Sequence, residues 1–250
     1  MPRPDPAARR LVRIAVIALV PAGLMLASGC GAGEPRTIDP AGVDGLEIPT
    51  PTPQPADFVR EIDNPYLPLT PGNAWRYEVT EGGEVIERIA VRVTDDTRVV
   101  AGVVTTVVHD EVTDASGDVI EDTYDWYAQD TRGNVWYFGE DTTAYGDGAP
   151  STQGSWEAGI DGAQAGLVMP ATPRVGDGFR QEFREGVAED RAEVLSLEET
   201  RGEWTDLVET LDTTPLEPGV EEHKFYANGL GLVLEEGETE TVTLVSSDLD

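Results

Sequence analysis

The sequence predicts an all-β fold, mainly antiparallel, built as a single curved sheet or a partly open β-barrel of roughly ten to twelve strands. Three observations predict it. From Phe58 onward, apolar residues alternate with polar ones at period two far more often than they recur at helical spacing. Turn signals containing glycine separate the alternating runs at short, regular intervals. Aromatic residues occupy alternate positions of neighbouring runs, where they can pair across strands.

Residues 74–80 and 84–94 flank Gly82-Gly83, a pair that supplies positive φ in a tight turn, and so form the first hairpin. Strands follow at 97–100, 103–112 and 118–129, with Ser116-Gly117 turning between the last two. Thr131-Arg132-Gly133-Asn134 returns the chain into a strand at 135–138. Tyr124 and Trp126 share one face of their strand, as Trp136 and Phe138 do of theirs, which places these aromatics in the core. The stretch 139–178 is glycine-rich and irregular, too long for an ordinary connection, and long structured loops tend to carry function. Strands resume at 179–184, 188–197, 204–212, 221–227, 231–235 and 240–245, although 188–197 also fits a helix. Pro68-Leu69-Thr70-Pro71-Gly72 and Pro215-Leu216-Glu217-Pro218-Gly219 are the same turn chemistry used twice, since their flanks do not match.

The amino end carries a different signal. Arg9, Arg10 and Arg13 precede residues 14–26, an apolar run too short for a stable membrane span, followed by Leu26-Ala27-Ser28-Gly29-Cys30. Small residues leading to the chain's single cysteine are what a lipoprotein signal peptidase requires. Residues 1–29 therefore read as a lipoprotein signal peptide, with Cys30 as the lipidated first residue of the mature protein. Arg9-Arg10 also raises twin-arginine export, but Arg13 breaks the apolar residues that should follow, which favours the general secretory route. Residues 30–57 read as a tether, because Ile48-Pro49-Thr50-Pro51-Thr52-Pro53-Gln54-Pro55 cannot sustain a helix or a sheet ladder. At about 3 Å per residue such a segment reaches up to about 80 Å. Residues 58–250 then form one β-rich domain without an internal disulfide. These readings place the protein outside the cytoplasm, lipid-anchored to the outer face of the cell membrane.

Charge narrows the partners. The chain holds 17 basic and 48 acidic residues, and removal of the signal leaves a net charge of about −34. Such a field repels nucleic acid and anionic lipid, and keeps the domain soluble and monomeric. The partners expected are the membrane, through the lipid on Cys30, and an apolar or amphiphilic ligand or an envelope partner. Nucleic acid is not among them.

Several segments carry a resemblance. Asn64-Pro65-Tyr66-Leu67-Pro68-Leu69 through Trp75-Arg76-Tyr77, then DTYDWYAQD (122–130), GNVWYFGED (133–141), GSWEAG (154–159) and FRQEF (179–183), resemble a family of secreted proteins found mainly in actinobacteria. The resemblance spans roughly residues 58–235 and implies export, but it brings no activity, substrate or catalytic residues. The Pro-Leu-x-Pro-Gly-x-x-Trp opening and Gly202-Glu203-Trp204 are also similar to β-rich periplasmic proteins with a curved, partly open barrel.

Motifs for catalysis or metal binding are absent from the sequence. The two histidines, His109 and His223, stand in separate strands without HExxH or HxH spacing. Ser155 in GSWEAG is not a nucleophile elbow, and neither an EF-hand loop nor a phosphate loop occurs. We therefore expect no catalytic residues, no metal and no cofactor. Carboxylates are the plentiful reactive groups, and Asp125, Glu140, Asp141, Glu157, Asp161 and Glu182 lie in or beside the aromatic-rich middle. The leading expectation is a non-enzymatic envelope lipoprotein that binds a ligand or partner on a curved sheet. The alternatives are a carboxylate-dependent hydrolase acting on envelope glycans or esters, and an acidic surface protein that associates with Ca²⁺. If a ligand site exists, the expected residues are Trp126, Trp136 and Trp156, with Asp125, Glu157 and His223 at its rim.

Overall fold

The structure, a computed structural model, describes residues 52–146 and 148–249, together with the backbone of residues 46–48. The export signal, Cys30 and the remainder of the tether up to residue 51 lie outside the described residues.

The alternating runs become strands, and among the described residues sixteen of them join in one sheet. Two antiparallel meanders supply most of it. The first comprises β3 (Ala74–Glu81), β4 (Glu84–Val100), β5 (Val103–Asp114), β6 (Val119–Asp130) and β7 (Val135–Ala144). The second comprises β12 (Arg191–Arg201), β13 (Trp204–Thr213), β14 (Glu221–Ala227), β15 (Gly231–Glu236) and β16 (Glu240–Asp248). β16 pairs antiparallel with β3 and joins the two meanders. The remaining strands are short: β1 (Leu46–Ile48), β2 (Phe58–Val59), β8 (Trp156–Glu157), β9 (Gln164–Met169), β10 (Asp177–Arg180) and β11 (Glu182–Phe183). Four of them, β1, β2, β8 and β11, account for the excess over the ten to twelve strands expected, because two or three residues are too few to display a period.

The irregular stretch 139–178 is more ordered than its composition suggests. β7 runs on to Ala144, β8 adds to the edge of β7, and β9 pairs with β7 through Val135, Trp136 and Tyr137. The stretch 188–197 is not a helix, its residues from Arg191 onward belonging to strand β12, and residues 84–100 are one long strand with a register shift between Val93 and Thr97.

The sheet curls into a nearly closed barrel. β10 pairs with β12 and β11 pairs with β9, so one segment bent at Gln181 spans the seam between the two meanders. Gly166 permits this approach: a Cβ there would lie 2.2 Å from the Gln181 carbonyl carbon and oxygen. Strand alternation then separates two environments. On the outer face, Trp136 and Phe138 pack edge-on against Phe58 of the incoming chain, and Arg98 lies 4.0 Å above the Trp126 ring. A second outer cluster, built from Leu207, Phe225 and Val233, has Arg201 over Phe225 at 4.3 Å.

One end of the barrel is sealed by residues 64–69, the Asn-Pro-Tyr-Leu-Pro-Leu motif. Asn64 is buried and its Nδ2 donates to the carbonyls of Gly133 and Pro170 at 2.9 and 3.2 Å, while its Oδ1 accepts the Tyr66 N–H at 2.9 Å. Gly229 N–H donates to the Pro65 carbonyl at 2.6 Å, fastening the same segment to the β14–β15 turn. The motif is thus an end plug, and its polar groups are satisfied by the turns that it closes.

Candidate functional site

Inside the barrel lies a cavity of about 610 Å³, within the size range of small-molecule sites. Its floor, above the plug, is apolar and includes Leu67, Leu69, Trp75 and Leu232. Trp75 Nε1–H donates to the Leu230 carbonyl at 2.7 Å, and Tyr77 O–H donates to the Leu232 carbonyl at 3.1 Å, so both rings have their polar atoms satisfied by backbone. Between this floor and the mouth the strands carry carboxylates on the same inner face: Glu87, Asp110, Glu121, Asp125, Glu140 and Glu235. This mouth is bordered by Gln153 and Gly154 of the 145–155 loop, by Glu217 and Val220, and by the β15–β16 turn.

The central polar group is Asp125 with Glu140, its register partner on β7. A bulge brings them together with an aromatic pair. Asp125 opposes Glu140 and Tyr127 opposes Tyr137, so two intervals of β6 match three of β7, and Tyr137 and Glu140 both face inward. Gly139 makes this possible, with φ of 132° and Trp156 O only 2.2 Å from where a Cβ would stand. Tyr127 and Tyr137 stack at 4.8 Å, and Trp156 meets Tyr137 edge-on at 5.3 Å.

The electrostatics follow from burial. Tyr137 O–H donates to Asp125 Oδ1 at 2.5 Å and is also hydrogen-bonded to Glu140. A hydroxyl carries one proton, so if it donates to Asp125 its bond with Glu140 needs the proton of a Glu140 carboxyl. Burial pushes Asp125 up to about 7, against the opposing Tyr137 hydrogen bond and reinforced by Glu121. Burial, with the charges of Asp125 and Glu182, raises Glu140 well above the ordinary carboxyl range. A second acid pair lies nearby. Burial and Asp190 raise Glu182 to about 8, and Glu182 accepts Trp156 Nε1–H at 3.0 Å.

Among the described residues, the cavity lining contains eleven Asp or Glu side chains and one cation, Lys224. That ammonium is already committed to Asp212, Glu222 and Glu235 at 3.1, 3.8 and 3.9 Å. Burial would lower its proton affinity, but Asp212 and Glu235 outweigh burial and raise it. Among the described residues, no group of three or more His, Cys, Asp or Glu is arranged to hold a metal ion.

Of the residues expected at a ligand site, Asp125 lines this cavity. Trp126 and Trp136 do not, because each is one residue out of phase with the inner face on which Asp125, Tyr127 and Tyr137 lie. Both are buried outside the barrel, Trp126 beneath Arg98 and Trp136 against Phe58 with its Nε1–H donated to Asp130 at 3.1 Å. Trp156 points inward but is buried between Tyr137 and Glu182 and stays off the cavity wall. Glu157 faces outward and pairs with Arg98 at 2.6 Å. His223 pairs with Glu209 at 2.7 Å, His109 pairs with Asp122 at 2.5 Å, and neither lines the cavity. Sequence reasoning missed Trp75, Tyr127, Tyr137, Lys224 and Leu232. The signal available was parity: acids at 87, 110 and 125 share their strand face with Ile89, Val108 and Tyr127.

No family model matches the chain, and no curated protein matches its sequence. Two solved structures are similar to it. One is a candidate exported protein with a YmcC-like fold from Bacteroides fragilis, with TM-score 0.44 and 13% identity over 74% of this chain and 99% of that one. The other is a candidate lipoprotein from Parabacteroides distasonis, with TM-score 0.39 and 10% identity over 73% of this chain and 98% of that one. Both are too distant to bear on function.

Proposed function

We propose that this protein is an extracytoplasmic lipoprotein, anchored through Cys30, that holds a small amphiphilic ligand inside its barrel. The observation that carries the binding role is the cavity of about 610 Å³, which is open at one end and has an apolar floor. The location rests on the signal sequence, Cys30, and the resemblance of the domain's motifs to secreted actinobacterial proteins. Mass spectrometry of the mature protein tests the anchor: a diacylated amino-terminal Cys30 is expected, and an unmodified cysteine refutes it.

The cavity reading is tested by titrating the protein with the neutral fluorophore N-phenyl-1-naphthylamine. Saturable enhancement is expected, together with its loss in Val91→Trp, which places an indole on the cavity wall while far-ultraviolet circular dichroism stays unchanged. Enhancement that survives Val91→Trp places the probe elsewhere and overturns the reading.

One observation favours a second reading, a carboxylate-dependent hydrolase. Asp125 and Glu140 share a hydroxyl and have raised proton affinities, as an acid poised beside a carboxylate requires. Turnover of a chromogenic ester or glycoside that Glu140→Gln abolishes would establish it.

A further inference from the structure

The chemistry of the cavity specifies its occupant more narrowly, provided that the cavity binds a ligand at all. We propose that the ligand is an amphiphile with a cationic head group, its tail on the floor formed by Leu67, Leu69, Trp75 and Leu232 and its head at the carboxylate-lined mouth. Charge complementarity between the two ends and the two parts of the ligand carries this assignment. The floor offers apolar surface only, since the Trp75 and Tyr77 donors are already taken by backbone carbonyls. Burial of an alkyl chain there gains free energy in proportion to the area covered, whatever head the chain bears.

The head is selected by the walls above. Five strands of the wall add inward carboxyls: Glu87 from β4, Asp110 from β5, Glu121 and Asp125 from β6, Glu140 from β7, and Glu235 from β15. The single ammonium among the described lining residues, Lys224, is held by three carboxylates of its own and leaves no cation to receive an anionic head. A carboxylate or phosphate head would add like charge to this enclosure. A neutral head would leave the carboxyls as they are. An ammonium or guanidinium head gains attraction from several carboxylates at once, in surroundings less screened than the protein surface.

Three ligands of equal chain length separate the head from the tail: dodecyltrimethylammonium, triethylene glycol monododecyl ether and dodecanoate, each below its micellar concentration. Isothermal titration of the full-length protein is expected to show the cation binding at least about tenfold more tightly than dodecanoate, with the neutral ether between them. Raising the salt concentration narrows that ratio. Glu121→Gln, which removes a lining charge and leaves the Tyr137 hydrogen bonds in place, narrows it by about threefold or more while ether binding persists, which shows that the variant is folded and its floor intact. Equal affinities across the three heads, or tighter binding of dodecanoate, overturn the cationic assignment and leave the cavity as an apolar site. Binding of none of the three overturns the cavity reading and this inference with it.

Discussion

Two aspartates near opposite regions of the barrel show how differently one side chain can be buried. Asp130, beside the plug, is 4% exposed, and Asp125, on the cavity wall, is 9% exposed. Asp130 accepts the backbone N–H groups of Arg132 and Asn134 on one oxygen, and Asn134 Nδ2–H and Trp136 Nε1–H on the other. Burial alone would raise its proton affinity, yet hydrogen bonds led by those from Asn134 hold it below the ordinary carboxyl range. Asp125 has one hydroxyl, that of Tyr137, and burial wins. A carboxylate surrounded by donors is part of the scaffold. One that is buried with too few donors has room for a partner from outside, and here it faces a cavity.

The sharpest way to break this comparison is to remove each carboxylate. Asp130→Ala leaves four donors without their acceptor and is expected to cost about 3–5 kcal/mol in urea unfolding. Asp125→Asn, by contrast, removes a poorly compensated charge and should leave stability at about pH 8 unchanged or higher. Equal losses in the two variants would show that both aspartates are structural.

A smaller effect appears in the pH dependence of stability. Asp125 and Glu182 bind their protons more tightly folded than unfolded, so their contribution is full below about pH 4 and is lost as the pH rises through about 7 and 8. For Asp125 that amounts to on the order of 2–3 kcal/mol between about pH 5 and pH 8. The melting temperature should fall across that window and fall less in Asp125→Asn. A rise with pH would contradict the shift. Asp130 acts in the opposite sense, and its contribution disappears only in strong acid, below about pH 4.

The smallest effect is expected outside the barrel. Arg98 covers Trp126 and pairs with Glu157, but its side chain is 46% exposed. Arg98→Ala should cost no more than about 1 kcal/mol. It should also leave fluorophore binding unaltered, because the Trp126 face does not adjoin the cavity.

Much of the fold is legible in the chain. Strand β14 begins and ends where the alternation of residues 221–227 places it, and the Gly82-Gly83 hairpin forms at its glycines with φ of 60° and 86°. The order inside 139–178 was hidden because β8, β9 and β10 are too short or too glycine-rich to show a period. The candidate site was less legible. Trp126, Trp136 and Trp156 looked like binding residues because large aromatics near an irregular loop suggest a pocket, yet all three are packed into the scaffold. Asp125 stands next to Trp126 in the sequence, which suggests one shared surface, whereas neighbours in a strand face opposite sides.

By itself, then, the sequence determined the antiparallel strands, most of their boundaries and the excess of negative charge, since alternation, turn chemistry and ionisation are local properties. Which face is inside was decided by tertiary structure. Curling the sheet toward the side of Trp75, Ile89 and Asp125 makes those residues a cavity wall and makes Trp126 and Trp136 an outer layer covered by Phe58 and Arg98. Period-two alternation distinguishes two faces without saying which of them is concave. The Phe138-Gly139 bulge, which sets Tyr137 and Glu140 on one side, breaks that alternation only because the Trp156 backbone, from a later strand, packs against Gly139.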